Sequence, residues 1–194
     1  EIQSMHFGAS KKQLTLHTGV FYTALSSQTF CAVSDSLDHN PCSVWAFMDP
    51  ILDKLLHANK DVDTVHFFSD GPATQYKQKG NFLLFTHEMT VRNLSGEWNF
   101  HESGHGKGVP DGVGGALKRR ANDLVLHGKD IMSAKSFVKN FQDSAVFVYE
   151  VGQQEIDNKA IILSKETLKP VPGTLKLHQI SYSGYGNILY RDVS

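Results

Sequence analysis

Val44, Trp45, Met48, Ile51, Leu52, Leu55 and Leu56 recur at spacings of three and four, the period at which side chains line one face of an α-helix. Asn40-Pro41 stands in front of them as cap and first-turn proline, and Pro50 predicts a kink before the helix ends near His57. An apolar stripe of that width has to be buried against another layer. The flanking segments supply a sheet. Gln13 to Tyr22 and Gln28 to Val33 are rich in Thr, Val and aromatic residues and are separated by Ser26-Ser27, so they read as an antiparallel pair. Val62 to Ser69 reads as a buried strand that stops at Asp70-Gly71-Pro72.

Further along, the pattern predicts a helix from about Lys79 and a short strand at Trp98 to His101. A helix carrying Val113, Leu117, Ala121, Leu124 and Val125 then ends at Gly128. A second helix near Ser133 to Phe141, a strand at Ala145 to Val151 and a β-rich extension from about residue 145 follow. The expectation is a single α/β domain over residues 1–194, with 40% apolar residues to fill one core. In it, one mixed sheet sets the Gln13–Val33 hairpin beside the Val62–Ser69 strand, under the Asn40–His57 helix. No strand is expected before the hairpin.

Charge narrows the partners. Nineteen Lys and Arg against 20 Asp and Glu give a net charge of -1, so no overall field draws the chain to nucleic acid, and any DNA contact needs a local basic patch. No apolar run approaches the roughly 20 residues that span a bilayer, and no basic-then-apolar signal peptide opens the chain. The chain reads as soluble, without membrane contact. Cys31 and Cys42 are too few for a disulfide framework, and with His39 they lack a fourth zinc ligand. The first residue is not Met and the last, Tyr190 to Ser194, lack a helix cap, so both ends read as cuts.

Three constellations have chemical potential. Asp70 closes a buried strand, the position at which open α/β sheets hold ligands, and a carboxylate there is a hard ligand for a divalent cation; it also serves simply to open the Gly71-Pro72 turn. Asp111 lies in Gly108-Val109-Pro110-Asp111-Gly112 at the start of a helix, as an N-cap that retains one free oxygen. Lys118, Arg119 and Arg120 follow two turns later, and Lys107 precedes it. The glycine spacing here matches neither the P-loop nor the dinucleotide-binding pattern. The third constellation is His101-Glu102-Ser103-Gly104-His105, an H-E-x-x-H string that Gly108 and Asp111 extend in the manner of a metzincin zinc protease, with Met132 as a Met-turn residue. That chemistry needs both histidines on one helical face, and Gly104 and Gly106 leave little helix for it.

The strings Phe67-Phe68-Ser69-Asp70-Gly71-Pro72-Ala73-Thr74-Gln75-Tyr76-Lys77, Trp98-Asn99-Phe100 and Gly104-His105-Gly106-Lys107-Gly108-Val109-Pro110-Asp111-Gly112-Val113-Gly114-Gly115-Ala116-Leu117-Lys118-Arg119 resemble a group of transposon-derived animal proteins with an RNase H-like DDE/D transposase core. The similarity runs from His17 to Arg191. It implies an RNase H-like mixed sheet flanked by helices and a nuclear protein that acts on DNA, compatible with a homo-oligomer. In that fold a first metal-binding aspartate sits on the first strand, a second at the end of the fourth strand, and a third acid on or before a later helix. The resemblance therefore assigns Asp70 to the second place and Asp111 to the third, with Glu102 in reserve. Two Mg2+ or Mn2+ ions would act there, and Lys107, Lys118, Arg119 and Arg120 would contact DNA phosphates. No aspartate precedes Asp35, so the first strand and its acid are expected upstream of Glu1, and the chain is expected to be inactive alone. The domain then reads as a strand-transferring enzyme, as a domesticated DNA- or protein-binding module, or, through His101 and His105, as a zinc protease.

Overall fold

The computed structural model describes residues 2–7, 12–71, 75–101 and 108–192. Among them the elements run β1 (Ile2–Phe7), β2 (Lys12–Tyr22), β3 (Ser27–Ser34), α1 (Pro41–Ala58), β4 (Thr64–Asp70), α2 (Lys79–Arg92) and β5 (Ser95–His101). There follow α3 (Val109–Leu126), α4 (Ala134–Asn140), β6 (Phe147–Glu150), α5 (Gln153–Ser164), β7 (Leu177–Tyr182) and β8 (Ile188–Asp192). The protein is mixed α/β. Its two four-stranded sheets are ordered β1-β2-β3-β6 and β4-β5-β7-β8, and the chain divides into two compact units, Glu1–Asp38 with Lys107–Glu155 and His39–Gly106 with Ile156–Ser194.

Two expectations change at this point. A strand does precede the hairpin, because β1 pairs antiparallel with β2. The hairpin β2–β3 is therefore flanked by β1 on one edge and by β6, parallel to β3, on the other. With both edges hydrogen-bonded it has no edge left for β4, which pairs with β5 instead.

In the first unit, Leu14 and Leu16 of β2 and Cys31 and Val33 of β3 form a core with Val113, Leu117 and Ala121 of α3 and with Ile131, Ala134, Phe137 and Phe141 around α4. Successive strand residues face opposite sides, and Thr18 continues the Leu14–Leu16 side; its hydroxyl donates to the Pro110 carbonyl at 3.0 Å. That bond fixes the start of α3 on β2. Gly19 stands opposite Phe30, whose ring occupies the place a Cβ would take. Helix α4 is capped reciprocally by Ser133 and Ser136, and the Ala134 amide donates to Asp35. Burial pushes the Cys31 thiol up to about 12, which keeps it protonated and unreactive.

The second unit is built on aromatic residues. Asn40 caps α1 by accepting from the Ser43 amide at 3.1 Å, and α1 continues through Pro50. Trp45 of α1 meets Phe67 of β4 and Trp98 of β5 edge-on, with ring centroids 5.8 and 5.6 Å apart. Its indole donates to Asn81 at 2.8 Å, and Asn81 donates to the Tyr76 carbonyl. Gly96 lets β5 run close to α2, since a Cβ there would lie 2.5 Å from the Met89 sulfur. Beside these rings, Lys159 of α5 pairs with Asp49 at 2.6 Å and Glu88 at 2.7 Å, while Arg92 pairs with Asp49, Asp53 and Glu88. Burial, and then the charge of Glu88, raise the Asp49 carboxyl against the opposing pull of Lys159. Among the described residues no helix is long and apolar enough to cross a membrane.

His17 gives the first unit a pH dependence. It is 6% exposed and packs edge-on to Phe30, and burial holds its imidazole well below the usual value. The unfolded chain therefore takes up this proton first as pH falls through about 6.5, and stability drops by up to about 1.4 kcal/mol per pH unit until the folded-state value is reached. Urea midpoints measured between pH 7.5 and 5 are expected to fall more steeply for the native chain than for His17→Leu. Parallel profiles would contradict this.

Candidate functional site at the carboxyl ends of β4 and β5

Strands β4 and β5 are parallel, seven residues each, and pair from Thr64↔Ser95 to Asp70↔His101. Their carboxyl ends lie together. On the side facing the helices, Trp98 stacks on Phe67 at 5.2 Å and on Phe100 at 5.9 Å, with Tyr76 and Phe85 around it. Its indole nitrogen donates to the Ser69 hydroxyl at 2.9 Å, and that hydroxyl donates to the Asp70 carbonyl at 2.7 Å. A buried tryptophan thus fixes the backbone at Asp70.

Lys77 lies on the same side. It is 8% exposed, its ammonium is 5.4 Å from the Phe100 ring centroid, and burial lowers its pKa. The stem passes so close to Gly71 that a Cβ there would sit 2.5 Å from the Lys77 Cε. A side chain at position 71 would have to push the end of the Lys77 stem aside.

The opposite side of the sheet carries polar groups in rungs. His66 pairs with Glu97 at 3.1 Å, and Gln179 of β7 donates to Asn99 at 2.9 Å and more weakly to Glu97 at 3.5 Å. Phe68, 65% exposed, stacks on His101. Asp70 is half-buried at the end of this side, and among the described residues its carboxylate takes no hydrogen bond or ion pair. A partly desolvated carboxylate at such an edge is a fitting ligand for a hard divalent cation.

Asp111 belongs to the other unit. It is half-buried in the first turn of α3 and is not the cap: that place is taken by Gly108, without a side-chain bond. The reason is Pro110, which suits the first turn and moves the helix start ahead of the aspartate. An acid in the first turn still meets the positive end of the helix dipole. Of the basic residues, Lys118 is half-buried and Arg119 and Arg120 are exposed, but Arg120 lies over the Phe141 ring at 5.3 Å, so part of its role is packing. Glu102, Lys107 and the second histidine of the H-E-x-x-H string, His105, lie outside the described residues. His101 closes a strand, so the helical face that a zinc protease requires is not present at the first histidine. Among the described residues no three His, Cys, Asp or Glu side chains converge on a point, and neither Cys31 nor Cys42 forms a disulfide.

Sequence reasoning singled out Asp70 but missed Lys77, the Ser69–Trp98 bond and the pairing of Asp70 with His101. The signal for the last was available: two strands of equal length, each ended by a polar residue of metal-ligand type. Ser69→Ala would leave the Trp98 N–H, on a residue 2% exposed, without its acceptor, at a cost of about 1–3 kcal/mol. Denaturant melts should show that loss, together with shifted Asp70 and Gly71 amide resonances. An unchanged melt would remove Trp98 as the element that holds this edge.

A family described as a domain of unknown function (DUF8701) matches residues 1–194, and the chain belongs to it. No curated protein and no solved structure matches the chain.

Proposed function

We propose that this member of the DUF8701 family is an RNase H-like domain of transposase descent that acts on DNA with Mg2+ or Mn2+ at the Asp70 edge. The observation that carries the reading is the order of elements. Three strands, a helix, a fourth strand, a helix, a fifth strand and a helix follow one another from β1 to α3. Asp70 is the last residue of the fourth strand, and Asp111 stands in the first turn of the helix after the fifth. These are the second and third acid positions that the resemblance assigned, with Glu102 as reserve for the third.

When bound, the metal pair would activate a water or a 3′-hydroxyl and stabilise the leaving oxygen of an in-line phosphodiester displacement. The protein's own groups supply the rest. Asp70 would hold a cation, the resemblance gives Asp111 the same role, the Trp98–Ser69 bond keeps the Asp70 backbone in place, and Lys107, Lys118, Arg119 and Arg120 would attract the phosphate backbone. Nuclear localisation and a DNA partner follow from this reading.

Strand β1, Ile-Gln-Ser-Met-His-Phe, contains no carboxylate. That observation favours a second reading, in which the domain has kept the fold and its DNA contacts but does not cut. The two are separated by the protein expressed from its full reading frame. In Mn2+ it is expected to nick supercoiled plasmid, with Asp70→Asn and Asp111→Asn each reduced to background at an unchanged thermal midpoint. DNA binding without nicking would establish the non-cutting module. Nicking that survives both substitutions would end the proposal.

A further inference from the structure

Asp70 and His101 are register partners at the last positions of β4 and β5. Adjacent strands lie about 4.8 Å apart, and partners in register direct their side chains to the same face. A carboxylate and an imidazole therefore stand side by side at one corner of the sheet. The neighbouring rungs on this face are satisfied internally, His66 by Glu97 and Asn99 by Gln179. The last rung is not: among the described residues neither Asp70 nor His101 takes a side-chain hydrogen bond or ion pair. The contact His101 does make is with Phe68, whose ring is stacked on it at 6.0 Å and 21°. Stacking fixes the plane of the imidazole and leaves its edge nitrogens open. Lys77, which would compete for Asp70, is turned over Phe100 on the other face.

The geometry points to a divalent transition-metal site formed by Asp70 and His101, with water in the remaining positions. Oxygen and nitrogen ligands of one cation lie roughly 2.0–2.2 Å from it, hence about 3 Å from each other, a gap that the two side chains span from backbones about 4.8 Å apart. An imidazole ligand favours Mn2+ or Zn2+ over Mg2+, which takes oxygen ligands and gives up its waters reluctantly. This site shares Asp70 with the proposed phosphodiester chemistry but rests on the β4–β5 register alone.

The test is a Mn2+ titration of the chain followed by the electron-paramagnetic signal of free Mn2+. His101→Ala and Asp70→Asn are each expected to weaken binding by about tenfold or more, and Mg2+ in about tenfold excess should leave the bound Mn2+ in place. Where His101→Ala lowers the thermal midpoint, His101→Phe, which keeps the stack on Phe68 but has no nitrogen, is read instead. Native-like Mn2+ affinity in the histidine variants, or no binding by the native chain, overturns the inference. If those variants bind normally while Asp70→Asn and Asp111→Asn do not, the two-aspartate reading stands and this one fails. Loss in the histidine variants with Asp111→Asn unaffected supports this site and removes Asp111 from it.

Discussion

The indole of Trp98 is the point on which the second unit depends. Each of its ring neighbours, Trp45, Phe67, Tyr76, Phe85 and Phe100, is within a centroid distance of 6.2 Å. Such pairs add about 0.5–1.5 kcal/mol each beyond the area they bury. The same residue has one polar atom, and it goes to Ser69, whose hydroxyl goes on to Asp70. Packing and placement of the carboxylate are therefore one arrangement. A change that loosens the aromatic cluster also moves the group proposed to hold the metal.

Charge inside this unit is handled in two ways. On the helical side, Glu88, 1% exposed, and Lys159, 8% exposed, neutralise each other within a set that includes Asp49, Asp53 and Arg92. Removing Glu88 or Lys159 alone would strand the other in a dry setting, at a cost of about 3–5 kcal/mol. This set ties α1, α2 and α5 together. Lys77, buried to the same degree as Lys159, faces an aromatic ring and a glycine rather than a carboxylate.

Local signals in the sequence were readable wherever a short-range rule decides the outcome. Asn40-Pro41 starts α1 because a side-chain cap and a proline satisfy the same first turn. Asp70-Gly71 stops β4, and Gly128, at a φ of 81°, follows the end of α3. Helix α5 was not legible: its buried positions are Ile156 and Lys159, and a lysine that is buried by ion pairing breaks the apolar period. The β2–β3 hairpin was legible but long-range strand pairing was not, since β6 reaches β3 from more than a hundred residues away and no local pattern encodes such a partner. The H-E-x-x-H string is a pattern match that the local signals already argued against. Its spacing is meaningful only on a helix, and Trp98 and Phe100, alternating with Asn99 and His101, already mark a strand.

The carboxyl ends of β4 and β5 are the proposed working edge of the molecule, and an amide-resolved titration with a short DNA duplex in Mg2+ tests this directly. Shifts concentrated at Asp70, Gly71 and His101 are the predicted result. Shifts concentrated instead at Asp63 and Asn93 to Ser95, the opposite ends of the same strands, or no shifts at all, would contradict it.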